Sequence, residues 1–164
     1  IRQWGDRLDA LYPGGRRSIE QLGSRAGFTF DFNAPLSDTM DSHRLYLWAQ
    51  RRAKGEELAQ AIGHEYFEHA RPLADREMLC SCARSVGLND SAALEYLESE
   101  EGYDQVLASV EHNLQMGIHS IPVFVFRSTA YETTVHGSAD VKRFGEVLDA
   151  ILSASKDALA KDEL

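Results

Sequence analysis

Gly117-Ile118-His119-Ser120-Ile121-Pro122-Val123-Phe124-Val125-Phe126 is the stretch whose reading decides the fold. Gly117 follows an amphipathic run and suits the left-handed position that closes a helix. Residues 123–126 are an uninterrupted apolar run of β-branched and aromatic side chains, the pattern of a strand buried on both faces. Pro122 opens that strand, where its missing N–H does least harm. X–Pro bonds are almost the only peptide bonds that take the cis form cheaply. Sequence alone leaves the Ile121–Pro122 bond open between cis and trans.

Upstream of Gly117 the chain reads as helix after helix. Ile1, Trp4, Leu8 and Leu11 are spaced as on a short helix ended by Pro13-Gly14-Gly15, and Ser18 suits the N-cap of a second helix closed by Gly27. Residues 28–32 alternate Phe with polar residues, a strand-like period. Ser37 or Asp38 then caps a helix to about residue 54, with Met40, Leu45, Leu47 and Trp48 on its apolar side. Gly55 separates it from a helix over 56–70 that buries Leu58, Ile62, Tyr66 and Phe67. Asp75 caps a helix to 86, and residues 89–91 open another through Leu97. The run 103–116 puts Val106, Leu107, Val110 and Leu114 at core spacing. Downstream, residues 122–126 and 132–136 predict an antiparallel hairpin, covered by a helix over about 139–155.

A family resemblance rests on these residues. The stretch 117–126 resembles the cis-proline loop and following strand of the DsbA-like thioredoxin-fold oxidoreductases. Thr133-Thr134-Val135-His136-Gly137-Ser138-Ala139-Asp140 and the run 141–152 resemble the strand, glycine turn and last helix that follow in that family. Asp41-Ser42-His43-Arg44-Leu45 resembles the opening of its inserted helical domain, in the FrnE-type branch. The implied fold class is α/β, predominantly helical in this chain: a thioredoxin-like fold with a large helical insertion. The expected organisation is an approach segment (1–37), the inserted helical domain (38–117), the C-terminal half of the thioredoxin-like domain (118–155) and a tail (156–164). The residues 28–32 then fall where the family has an extended connector, with little or no sheet pairing.

The family pattern also has a strand, a Cys-x-x-Cys at the start of a helix and a second strand before the insertion. This sequence contains no Cys-x-x-Cys and does not begin with Met. The expectation is therefore an N-terminally truncated member, inactive as it stands, with no catalytic residue among these 164. The activity implied at family level is thiol–disulfide exchange on polypeptides, which needs no dissociable cofactor. Ser120, Ile121 and Pro122 are then the substrate-binding residues, their backbone pairing with an extended chain by strand addition. His43 is a possible neighbour of the reactive thiol, where an imidazole stabilises thiolate or carries a proton. The other reading of His43 is a hydrogen-bonded interface residue. An alternative of the same fold is a kappa-type transferase or isomerase that binds glutathione and uses a Ser. A further alternative is a non-catalytic member that binds client chains.

Composition narrows the partners. A net charge of −9 opposes a general nucleic-acid binder, which needs a basic face, and no apolar run is long enough for membrane insertion. Lys161-Asp162-Glu163-Leu164 spells an endoplasmic-reticulum retention signal, implying the KDEL receptor as partner and the lumen as location if a signal peptide lies upstream, and the cytoplasm otherwise. The tail before it, polar and small, is expected to leave the signal exposed. Cys80 and Cys82 are two apart on a helix and so point to opposite sides, unsuited to a disulfide. They read as ordinary core or half-exposed thiols. His64, Glu65, Glu68 and His69 read as a solvated helical face and not a metal site, because histidines five apart diverge where a His-x-x-x-His pair converges. With its partner strands missing, the hairpin is expected to leave a bare sheet edge open to self-association.

Overall fold

The structure is a computed structural model that describes residues 3–162. The chain divides after Ala108 into two compact units.

In the first unit, α1 (Trp4–Leu11) and α2 (Gly15–Ala26) form a helical pair, α2 beginning three residues before Ser18 because Gly14, in the left-handed region, turns the chain into it. Residues 28–32 form no ladder strand. Their alternating Phe side chains instead feed an aromatic cluster: Trp4 stacks on Phe32 with 4.8 Å between ring centres, and Phe67 meets both Trp4 and Phe30 edge-on at 5.5 and 5.8 Å. The Trp4 Nε1–H donates to the Asp31 carbonyl at 3.1 Å. Gly23 lets α2 lie directly on this cluster, since a Cβ there would stand 2.6 Å from the Phe30 ring.

The core of the unit is built by α3 (Met40–Gln50), α4 (Gly55–His69), α5 (Arg76–Ser85) and α6 (Asp90–Glu98). Leu45, Trp48, Leu58, Ile62, Met78, Leu79, Tyr96 and Leu97 interlock there, and Ala49, Ala83 and Ala93 let the helices approach. The helix starts follow capping chemistry. Asp75 accepts from the Met78 N–H and Asn89 from the Ala92 N–H, each satisfying an otherwise orphan donor. At α3 the cap is less regular: Thr39 holds the N-cap position without a side-chain bond, while Asp38 accepts from the Met40 N–H at 2.8 Å.

Next comes α7 (Tyr103–Gln115), which runs across the division between the units. Its apolar stripe departs from the expectation of core positions. Val106 is buried, but Leu107, Val110 and Leu114 are all about half-exposed. Helical spacing shows that a face is apolar, not that anything covers it. Gly117, at φ +76°, closes α7 as expected, with the Ile118 N–H donating to the Asn113 carbonyl at 2.9 Å.

The second unit holds an antiparallel hairpin, β1 (Val123–Arg127) and β2 (Glu132–His136), and the helix α8 (Val141–Asp162). Phe124 pairs with Val135 and Phe126 with Thr133, so these four share one face of the hairpin. Phe144 of α8 packs against that face, its ring 4.9 Å from Phe124 and 5.9 Å from Phe126, beside buried Val135 and Val147. Asp140 starts α8 by accepting from the Arg143 N–H at 2.8 Å. The helix runs beyond residue 155, where sequence spacing placed its end, through Asp162. The chain is thus predominantly helical with one two-stranded sheet among the described residues.

Candidate functional site

The loop 118–122 is held at its downstream end by the hairpin. The Gly137 N–H donates to the Pro122 carbonyl at 2.9 Å, one residue past the last ladder pair, Val123 with His136. The Ile121–Pro122 peptide bond is cis. Upstream of that anchor, His119 and Ser120 are exposed, and Ile121 stands 90% exposed, unusual for a branched aliphatic side chain. Ser120, Ile121 and Pro122 therefore form a short, outward-facing segment leading into β1. On one side β1 pairs with β2. Its other edge has no partner among the described residues, so unpaired backbone groups continue from the loop along the strand.

His43 lies in the other unit, on the exposed side of α3. It borders a shallow, mostly apolar depression of ≈ 250 Å³ with Tyr46, Ile62, Tyr66, Phe67 and Leu73. Its neighbour Arg44 points inward. The guanidinium, 4% exposed, pairs with Asp41 at 2.7 Å and donates to the carbonyls of Tyr96 at 3.0 Å, Leu97 at 3.3 Å and Glu101 at 2.8 Å. Asp41 also holds Arg76 at 2.6 Å. The Asp-x-His-Arg stretch therefore closes the C-terminal end of α6, where orphan carbonyls and the negative end of the helix dipole favour a cation. That reach across more than fifty residues is invisible to a reading of local spacing.

The cysteines behave as core thiols. Cys82 is buried and donates weakly to the Met78 sulfur at 3.6 Å, while Cys80 is half-buried, and neither is in a disulfide. Burial, with the Glu65 carboxylate adding to it, pushes the Cys82 thiol up to about 11. Burial and then the Asp90 carboxylate also hold Cys80 above its ordinary value. Exchange requires thiolate, so both shifts run against a nucleophilic role.

Towards the end of α4 the two histidines stand closer than their spacing in the sequence suggests. Residues five apart on a helix diverge at Cα, yet the His64 and His69 rings lie 4.7 Å apart. The donor atoms of His64, Glu65 and His69 all fall within 4.8 Å of one another. The missed signal is the carboxylate between them. Glu65 and His69 are i,i+4 neighbours on one face, and His64 leans over from the adjacent position. A helical wheel places Cβ directions, not the reach of an imidazole.

Lys161 and Asp162 end α8, and Glu163 and Leu164 lie outside the described residues.

No curated protein matches the chain. Among solved structures, a probable DsbA oxidoreductase from Streptomyces coelicolor superposes with a TM-score of 0.78 at 25% identity, covering 93% of this chain and 68% of that one. A candidate protein disulfide isomerase from Nitrosomonas europaea shares the fold, with a TM-score of 0.70 at 20% identity over 86% of this chain and 75% of that one. Residues 15–149 match the family described as the DSBA-like thioredoxin domain. That match spans α2, the helical core, α7, the cis-proline loop, the hairpin and the start of α8, and on it the chain belongs to the DSBA-like thioredoxin domain family.

Proposed function

We propose that this chain serves thiol–disulfide exchange on polypeptides as a substrate-binding element, with Ser120, Ile121 and Pro122 receiving an extended segment of the client. The observation that carries the reading is the outward-facing loop, with Ile121 exposed and Pro122 tied to Gly137, leading into an unpaired strand edge. An extended chain adds to such an edge through backbone hydrogen bonds, and a neighbouring side chain supplies apolar contact. In the exchange itself a thiolate attacks one sulfur of a disulfide and displaces the other as thiolate, so no dissociable cofactor is needed. Neither Cys80 nor Cys82 is suited to that attack, and the sequence contains no Cys-x-x-Cys. These 164 residues accordingly bind clients without turning over disulfides. The terminal Lys161-Asp162-Glu163-Leu164 supports a lumenal address read by the KDEL receptor.

The test pairs binding with turnover. A fluorescent, unfolded, cysteine-containing peptide should bind the chain, and Ile121→Asp should weaken binding about tenfold, by desolvating a charge against the client. Insulin reduction by the same preparation should stay at background. Turnover abolished by Cys80→Ala or Cys82→Ala would overturn the assignment of chemistry. Peptide binding indifferent to Ile121→Asp would overturn the assignment of the loop.

A further inference from the structure

We propose that His64, Glu65 and His69 form a binding site for one zinc-type dication at the C-terminal end of α4, with Glu68 orienting His64 from behind. Two imidazoles and a carboxylate are a donor set that zinc takes readily, with water completing the coordination at an open position. Here they come from six consecutive residues of one helix and already converge, their donor atoms within 4.8 Å of one another. Around a tetrahedral zinc with bonds of about 2.1 Å, donors stand roughly 3.4 Å apart. The contraction needed is small and falls on side chains free to move, since both histidines are exposed and Glu65 is only partly buried.

His64 is arranged as a metal-binding histidine is in outline. Its Nδ1 faces Glu65 Oε1 at 4.0 Å and its Nε2 faces Glu68 Oε1 at 3.7 Å. One nitrogen thus faces the Glu65 carboxylate and the other faces Glu68 just beyond hydrogen-bond distance, close enough for a small ring rotation to give the supporting contact that raises ligand basicity. Glu68 is itself positioned, accepting from the Thr29 N–H at 3.3 Å.

The surroundings favour a cation as well. The site sits on the last turn of α4, whose unsatisfied carbonyls carry partial negative charge. The nearest guanidinium in sequence, Arg71, is paired with Asp75 at 2.6 Å. The chain leaves the helix there through left-handed Ala70, with the Arg71 N–H donating to the Glu65 carbonyl at 3.0 Å. A bound dication would clip this turn, joining Glu65 to the final helical residue.

The site is independent of the exchange reading. Titration calorimetry of the whole chain with zinc alone should show saturable binding at one ion per chain. His64→Ala, His69→Ala and Glu65→Gln should each weaken binding tenfold or more, and Glu68→Gln, whose contact is longer than a hydrogen bond, several-fold. Both histidines are exposed, so circular dichroism should show unchanged helix in these variants. Cobalt should give d–d bands without a thiolate charge-transfer band, excluding Cys80 and Cys82 as ligands. No saturable zinc binding, zinc binding unchanged in the doubly substituted His64→Ala, His69→Ala protein, or a thiolate band with cobalt would each overturn the site.

Discussion

Cys82 shows how one side chain carries opposite messages in sequence and structure. In a sequence with two cysteines, a Cys-Ser-Cys invites a redox reading. Helical spacing argues against it, and burial against the Met78 sulfur completes the argument. A thiol whose folded pKa is raised favours the protonated form in the native state. The unfolded chain releases this proton near 9.0, the folded one near 11. Between those values the unfolded state binds fewer protons, so stability is intact below pH 9 and falls as pH rises towards 11. Two units correspond to about 2–3 kcal/mol at most. Tyr66 and Tyr96, also raised chiefly by burial, act in the same direction at alkaline pH. The expected result is that Cys82→Ala flattens only part of the alkaline decline in urea-unfolding stability. An unaltered slope would mean that the thiol is not held protonated by the fold. At the same scale, the convergence of His64 with His69 escaped a reading of His–His spacing because it depends on side-chain reach.

Elements were legible where their signals are local. Asp75 and Asn89 cap the helices they were expected to cap, Gly117 closes α7, and the hairpin pairs residues 123–127 with 132–136. These are decided by one side chain, one backbone conformation or a period of two. Where an element's end depends on remote partners, sequence was silent. Arg44 reads locally as an ion-pair partner of Asp41, and so it is, but its remaining donors close the end of α6. Arg44→Met should therefore cost about 3–5 kcal/mol, as removal of one partner from a buried pair does, because Asp41 and several carbonyls lose their donor together. Arg44→Lys should recover only part, since an ammonium cannot reproduce the planar fork. Thermal unfolding of the two variants measures this. A loss below about 1 kcal/mol for Arg44→Met would put the pair among exposed ion pairs instead.

For the whole molecule, two opposing tendencies decide behaviour in solution: a charge of −9 that keeps copies apart and apolar surface that draws them together. The second unit places that surface on backbone able to pair. Phe124 and Phe126 face α8, while Val125, on the other face, is 50% exposed between Val123 and Arg127. The far edge of β1 is unpaired among the described residues, and residues 123–126 contain no Lys, Pro or bulge to blunt it. We propose that copies of the chain associate through this edge. Because like-charge repulsion is screened within about 10 Å at 0.1 M salt, association should strengthen as ionic strength rises, opposite to assembly held by ion pairs. Sedimentation velocity should show a larger species growing with protein and salt concentration. Val125→Lys should suppress it by placing a charge on the open face, leaving the packing of Phe144 intact. Amide exchange should be fast across residues 122–136 in dilute, low-salt solution and slow as the larger species forms. A single monomeric species at every salt concentration, with β1 amides uniformly protected, would mean that the edge is already closed within one chain.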